Sequence, residues 1–325
     1  MTSAPRIRIV LPVYNDWPAA ARVLRELNDE LTRAGVTAEA LLVDDASSDQ
    51  PEALAPYVPT GIAAIDVLRL RRNLGHQRAI AVALAWLEAS ERPPELTIVM
   101  DADGEDRPTD VPRLIDAAGR GNAVVFAERR RRSEGALFAL LYHGYRALHW
   151  LFTGIPVRVG NFSALPRRAL SRLVAMSDLW NHFAAAVFKS RIPFVTVPTE
   201  RGRRYAGKSQ MHLAALVGHG LSAMAAFGDR VGVRLLAVAT TIALVVVLTL
   251  VYGLTASTIT RGTPFVLALV LLLLFQTFAI ALTFVFVILG SRDTATFLPL
   301  RDYRYFVLDC VPLAALTDAR DPVRR

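Results

Sequence analysis

Lysine is almost missing from this chain of 325 residues: Lys189 and Lys208 are the only two. Positive charge rests on arginine instead, and Lys plus Arg outnumber Asp plus Glu by 37 to 29, a formal net charge of +8. Arginine's planar fork matches phosphate bidentately, so nucleic acid, anionic lipid and phosphorylated substrates are all candidate partners. A biased base composition of the gene accounts for the same preference equally well. Cysteine is scarcer still. Cys310 stands alone, which excludes an internal disulfide framework and a Cys-rich zinc site and fits a reduced, cytosolic face. Internal repeats are absent, and the only biased tract is the arginine run Arg129–Arg132.

Charge is also absent from two long stretches near the C-terminus. The mean hydropathy is +0.34 although 20% of residues are charged, and position resolves the conflict: apolar residues pile up after Val231. Leu235–Leu254 is uncharged and apolar, long enough for a bilayer core of ~30 Å. Pro264–Gly290 is longer and interrupted only by Gln276 and a few threonines. Core helices rarely run so far without a polar face, so two transmembrane helices are expected, joined by the short linker Thr255–Thr263. Arg230 and Arg234 precede the first span and Arg292, Arg301 and Arg304 follow the second, whereas the linker holds only Arg261. Positive charge stays inside, so both ends are expected in the cytoplasm of a multi-pass inner-membrane protein. Met1–Pro5 leads straight into IRIVLPV without the pattern of a signal peptide, in keeping with that orientation. Gly135–Gly154 is apolar too, but His143, Arg146 and His149 recur every three residues as a polar stripe. An interfacial helix is expected there, with an ordinary buried helix as the alternative. Met211–Asp229 reads as a second interfacial helix.

The first two thirds of the chain alternate strand and helix. Arg6–Pro12 is β-rich. Asp16–Arg33 has Asp16 as N-cap, Pro18 in its first turn, Leu24, Leu27 and Leu31 at helical spacing, and Gly35 as a stop. Strands at Ala40–Val43, Ile65–Leu70, Leu96–Met100 and Ala123–Ala127 and a helix at His76–Ala89 complete the pattern. Such alternation implies an α/β fold with a mostly parallel sheet, in which ligands sit beyond the carboxyl ends of the strands.

At those ends stand PVYND (Pro12–Asp16), VDDASSD (Val43–Asp49), RRNLGHQRA (Arg71–Ala79) and MDADGEDRP (Met100–Pro108). The last carries the most chemistry. In an extended chain Asp101 and Asp103 point to one side, with Ala102 between them. Two hard oxygen donors there suit Mg²⁺ or Mn²⁺ that also bridges a diphosphate and neutralises charge on a leaving group. Glu105 and Asp106 extend the acidic cluster. Taken alone, a paired Asp after a strand is more often a turn, a helix cap or a solvated acidic loop than a metal site.

The order PVYN, VDDxSxD, NxGxxxA, DxD, an Arg-rich segment and then membrane spans resembles family 2 glycosyltransferases of the GT-A fold, and among them the polyprenyl-phosphate and dolichol-phosphate glycosyltransferases with two C-terminal spans. That resemblance implies a nucleotide pocket lined by Pro12, Tyr14 and Asn15, with Asp44 and Asp45 at the base or ribose. It places Asn73, Gly75 and His76 near the donor, and the metal and diphosphate on Asp101, Ala102 and Asp103. Arg129 and Arg131 would face an acceptor phosphate. Arg201 and Arg204 match the family's R-x-x-R-x-x-G-x-S loop, completed by Gly207 and Ser209, and would meet both phosphate-bearing partners. A juxtamembrane basic patch drawn to anionic lipid is the plainer reading of that segment. The expected organisation is a GT-A domain over residues 1–210, an interfacial helix at 211–229, two spans within 230–290, and a cytoplasmic tail at 291–325.

Three positions depart from the family pattern: Glu105 stands for Gln, His76 for Lys, and Asn161 for a carboxylate. His182 is unassigned and expected to be structural. The function the resemblance implies is inverting transfer from a UDP- or GDP-sugar to a lipid phosphate. The alternatives are transfer to another lipid or glycan, without the Q-x-x-R-W signature of processive synthases, and an idle membrane scaffold. Nucleic acid is not an expected partner; homo-oligomerisation stays open.

Overall fold

The computed structural model describes residues 5–49, 60–119, 121–129, 144, 147–154, 159–205, 213–255, 263–290 and 297–314. The chain divides into two compact units. The first comprises Met1–Gly135, Arg158–Leu213 and Asp293–Arg325; the second comprises Ala136–Val157 and Ala214–Arg292.

The first unit is built on eight strands: β1 (Ile7–Val13), β2 (Ala38–Asp44), β3 (Ile62–Leu70), β4 (Leu96–Val99), β5 (Val124–Arg129), β6 (Val159–Pro166), β7 (Phe194–Thr199) and β8 (Val307–Pro312). They lie in the order β7-β5-β6-β4-β1-β2-β3-β8. β1 pairs in parallel with β2 and β4, β2 with β3, and β5 with β7. β6 and β8 run against their neighbours, so the expected parallel sheet is a mixed one. All four residues of β4 and most of β1 and β2 are buried, because helices cover both faces of the sheet. On one face pack α1 (Trp17–Ala34) and α3 (Val111–Gly119). On the other pack α2 (His76–Glu88), α4 (Arg167–Leu173) and α5 (Phe183–Lys189).

The helices form where the sequence places them. In α1, Leu24, Leu27 and Leu31 are buried, each worth about 1.5–3 kcal/mol. Gly35 ends that helix in the left-handed conformation at φ 65°, with its N–H turned back to Leu31 and Thr32. Asp16 precedes α1 but makes no side-chain capping bond; its carboxylate is used elsewhere. His182 does cap, accepting the Ala185 N–H at 3.3 Å.

The C-terminal segment is an edge strand. It begins at Val307, after a 3-10 turn at Tyr303–Tyr305. β8 pairs with β3 of the same chain, Arg69 pairs with Asp309, and the Arg71 N–H bonds the Phe306 carbonyl at 2.8 Å. Trp180 packs on Phe297 and Phe306, with ring centroids 4.5 and 5.0 Å away.

The second unit contains α6 (Leu213–Ala225), α7 (Gly228–Thr255) and α8 (Thr263–Gly290). α7 and α8 have 28 residues each, and at 1.5 Å per residue each is about 42 Å long. Among the described residues alone, no helix is long and apolar enough to cross a membrane. Leu244 and Leu248 of α7 and Leu271 and Leu274 of α8 are all more than half exposed. Phe152, Met224 and Val231 form a small core with Leu282 and Phe286. Of the polar stripe expected in Gly135–Gly154 only His149 is described. It is buried against Thr153, while Trp150 and Leu151 are exposed, so the exposed face there is apolar.

Cys310 gives a test of β8. Burial, with Asp66 nearby, pushes its thiol up to about 11. At pH 8 its alkylation by iodoacetamide is expected to be about 100-fold slower than that of a free thiol. A free-thiol rate in the native protein would mean that β8 is not docked.

Candidate active site

The carboxyl ends of β1, β2 and β4 and the start of α2 meet on one rim of the sheet. At the first two ends, side chains bind neighbouring backbone. Asn15, at φ 50°, accepts the N–H groups of Ser48 and Asp49 at 2.8 and 3.2 Å on Oδ1, and its own N–H bonds Ser47 Oγ. Asp44 accepts the Ser47 N–H at 2.8 Å. Tyr14 stands 46% exposed beside them, a free aromatic face. Asp45 points inward and takes the N–H groups of Leu74 and Gly75 at 2.7 and 2.8 Å. Burial raises its pKa against those two bonds. It thereby fixes the entry to α2, where Gly75 adopts φ 86° and hands the chain to His76.

After β4 the chain is not extended. The strand stops at Val99, and residues 102–106 turn back on themselves. Asp106 is buried and accepts the Asp101 N–H at 2.9 Å, which ties the turn shut. Asp103 accepts the Glu105 N–H at 2.9 Å on Oδ1. Asp101 Oδ1 lies 3.1 Å from His76 Nε2, whose other neighbour is Asn161 Nδ2 at 2.8 Å.

A second loop, 200–205, lies over this turn. The Gly202 N–H bonds the Glu105 carbonyl at 2.8 Å, and the Tyr205 N–H bonds the Asp103 carbonyl at 2.9 Å. Arg201 meets Glu105 at 2.6 Å. Arg204 bridges Asp103 (3.0 Å) and Asp16 (2.6 Å), one Nη to each. The fit is close: a Cβ on Gly202 would lie 2.1 Å from the Gly104 carbonyl oxygen, and one on Gly104 would strike the Tyr205 ring at 2.6 Å. Tyr205 in turn donates to Glu26 beneath the Arg22 guanidinium, and burial followed by that bond pushes its hydroxyl up to about 12.

The model of the family described as "Glycosyl transferase family 2" matches residues 8–174, just over half of the chain, from β1 to the end of α4. The chain belongs to this family. Its mixed α/β sheet is therefore a GT-A-like fold. Among curated proteins, the undecaprenyl-phosphate 4-deoxy-4-formamido-L-arabinose transferase of Pseudomonas aeruginosa (strain LESB58) is 35% identical over 132 residues, 40% of this chain and 37% of that protein. The enzyme of the same name from Klebsiella pneumoniae (strain 342) is 30% identical over 131 residues, 40% and 38% of the two chains. The match thus spans under two fifths of these relatives' length. Among solved structures, a Pyrobaculum calidifontis mannosyltransferase in complex with GDP-Man and Mn²⁺ aligns with TM-score 0.48 at 18% identity, over 90% of this chain and 89% of that one.

The acidic turn suits a divalent cation. Burial and then the Asp101 charge raise the Asp103 pKa, the mark of carboxylates crowded together without enough positive charge. Burial lowers the His76 pKa, but Asp101, with Asp106 and Asp103 behind it, leaves it raised. Among the described residues no three His, Cys, Asp or Glu side chains are grouped to hold a metal. A cation on Asp101 and Asp103 therefore leaves most of its coordination to other oxygens. Magnesium-like ions bind in this manner, through one or two carboxylates plus substrate phosphates and water.

The structure brings Asp101, Asp103, His76, Arg201 and Arg204 together. Ala102 is buried within the turn, Pro12 is half-buried at the end of β1, and Asn73 is exposed before α2. Asp45 is turned away from the rim. The side chain of Arg129 and the residues Arg131, Gly207 and Ser209 lie outside the described residues. Sequence reasoning missed Asp16 as the second partner of Arg204, and Gln77, which bonds Asn161. Asp16 was visible as an acid ending PVYND, but its place before Pro18 reads equally as a helix cap.

Replacing Gly202 by Ala should force the two loops apart and lower activity at least tenfold, by about 1.4 kcal/mol or more in the barrier. Gly121→Ala, whose added Cβ meets nothing within 4 Å, should leave activity unchanged. Steady-state rates and melting curves of both variants check this; wild-type activity in Gly202→Ala contradicts the close packing.

Proposed function

We propose that this glycosyltransferase moves a sugar, with inversion, from a UDP- or GDP-sugar to a polyprenyl phosphate at the cytoplasmic face of the inner membrane. The observation that carries the proposal is the closure of the 200–205 loop on the 101–106 turn. Two arginines and two metal-type carboxylates, about one hundred residues apart in sequence, share one site. A nucleotide-sugar and a lipid phosphate both bring phosphate, and a site of this composition handles two phosphate-bearing partners at once. The curated relatives are named for transfer to undecaprenyl phosphate, which supports the choice of acceptor.

The acceptor is a phosphate monoester with a second pKa of about 6, so it reaches the site already ionised. An oxygen of that phosphate attacks the anomeric carbon from the face opposite the leaving group. The bond from the anomeric carbon to the diphosphate oxygen breaks, and the nucleoside diphosphate departs with the electron pair. No proton needs to be removed, so the protein's work is positioning and charge stabilisation. Asp101 and Asp103 would hold Mg²⁺ or Mn²⁺, which supplies positive charge to the departing diphosphate. Arg204 already pairs with Asp103, and its second partner Asp16 lets it give up that carboxylate while remaining in the site. Arg201 and Arg204 then orient the phosphates. Tyr14, exposed at the end of β1, offers a ring for the base.

A membrane setting is supported by α7 and α8, whose uncharged runs form a hairpin. Strand β8, which follows the hairpin, joins the same sheet that precedes it. Both ends of the hairpin therefore connect to the catalytic unit, which is consistent with both lying on one side of the bilayer and with the arginines that flank the runs.

The test is transfer of labelled sugar from UDP- and GDP-sugars to undecaprenyl phosphate by the detergent-purified protein with Mn²⁺. A lipid-extractable, acid-labile product is expected, and Asp103→Asn should reduce it at least about 100-fold. Donor hydrolysis without lipid product would redirect the search to another lipid or glycan. Full activity in Asp103→Asn would overturn the metal assignment.

A further inference from the structure

A guanidinium and a divalent cation have the same oxygen of Asp103 to share. Its Oδ1 accepts the Glu105 N–H at 2.9 Å, so the turn's own backbone holds that side of the carboxylate. Its Oδ2 accepts Arg204 Nη1 at 3.0 Å. Ions of the magnesium type bind carboxylate oxygens at about 2.1 Å, so one on Oδ2 would stand no more than about 5 Å from that nitrogen. Arg204 is 25% and Asp103 18% exposed, so water screens the two positive charges only in part and they compete for the oxygen. The guanidinium can yield without the loop opening. On either side of it the Gly202 and Tyr205 N–H groups seat the loop on the Glu105 and Asp103 carbonyls, and Tyr205 donates to Glu26. Arg204 Nη2 meanwhile holds Asp16 Oδ2 at 2.6 Å. Only Nη1 has to change partners, and a phosphate oxygen is the partner a guanidinium takes in exchange for a carboxylate.

We propose that Arg204 is a gate on the cation site: it competes with the divalent ion for Asp103 Oδ2 and releases that oxygen when a nucleoside diphosphate engages its Nη1. The proposal rests on the reading of Asp101 and Asp103 as the metal's protein ligands. Cation and diphosphate are then coupled in two ways. The diphosphate offers oxygens to the ion directly, and it frees Asp103 by drawing Arg204 away. By linkage, each raises the affinity of the other by the same factor. When the diphosphate leaves, Arg204 returns to Asp103 and the ion is released with it. Arg201 supplies the contrast. It carries the same charge on the same loop, but its partner is Glu105, at 2.6 Å. A general field of positive charge would involve both arginines alike, whereas the gate belongs to Arg204.

The experiment titrates Mn²⁺ into the full-length, detergent-purified protein alone, with saturating UDP and with saturating GDP. Free Mn²⁺ is read by its electron paramagnetic resonance signal. For the wild type, one of the nucleotides should raise Mn²⁺ affinity at least about tenfold. Arg204→Met should bind Mn²⁺ without nucleotide about tenfold more tightly than the wild type, and its gain from nucleotide should shrink by about the same factor. Arg204→Gln removes the charge but keeps an N–H donor for Asp16. It should behave in the same way, and it decides the matter if the Met variant does not fold. Arg201→Met should tighten Mn²⁺ binding by at most about a third as much. Unchanged or weaker Mn²⁺ binding without nucleotide in the folded Arg204 variants overturns the gate, and so does equal tightening in Arg201→Met. Equal Mn²⁺ affinity of the wild type with and without nucleotide overturns the gate and leaves the cation site standing. No Mn²⁺ binding by the wild type under any of the three conditions overturns the cation site, and the gate with it.

Discussion

Arg204 holds Asp103 with one nitrogen and Asp16 with the other, and the rim of the sheet is organised around that bridge. Five carboxylates, those of Asp16, Asp101, Asp103, Glu105 and Asp106, gather within the turn and its surroundings, and the guanidiniums of Arg201 and Arg204 answer Glu105, Asp103 and Asp16. Crowded acids of this kind raise one another's pKa unless cations are brought in. The protein brings them from the 200–205 loop, and seats that loop with backbone bonds from Gly202 and Tyr205. The site's partial charge balance and the loop's position are therefore one fact. Removing one partner of such a half-buried pair leaves the other charge poorly compensated, which is why the bridge constrains more than its own few atoms.

The scaffold beneath this rim is rigid where the chemistry needs it. β1, β2 and β4 are almost wholly buried and lie side by side, so the ends that carry Asn15, Asp44 and Asp101 are fixed by strand register. The loops beyond them are held by side chains that accept backbone N–H groups: Asn15 from Ser48 and Asp49, Asp45 from Leu74 and Gly75, Asp106 from Asp101. Asp45 spends both carboxylate oxygens on backbone N–H groups, whereas Asp103 gives only Oδ1 to the Glu105 N–H and turns Oδ2 to Arg204.

Much of this was legible in the sequence. Apolar runs with turn signals placed the early strands, and Leu24, Leu27, Leu31 and Gly35 marked α1 correctly at both its face and its end. The DxD pair, His76 and the two loop arginines were all named from strand ends and motif order. Less visible were features that depend on distant pairing. β6 runs antiparallel between β4 and β5, and β8 crosses back to β3 after more than two hundred residues; local propensity carries no information about either partner. The expected extended geometry at Asp101–Asp103 gave way to a turn because Gly104, at φ 91°, and the inward Asp106 close it. Gln77 went unnoticed because an amide in the first turn of a helix looks like any solvated residue until its partner Asn161 is seen beside it.

On the function proposed here, the acidic turn and the arginine loop together make one metal-dependent site for a nucleoside diphosphate. Calorimetric titration of UDP and GDP into the purified protein, once with Mn²⁺ and once with EDTA, tests this most directly. Binding of at least one nucleotide in Mn²⁺ that is lost in EDTA is the expected result. Equal binding under both conditions, or none under either, would contradict the claim.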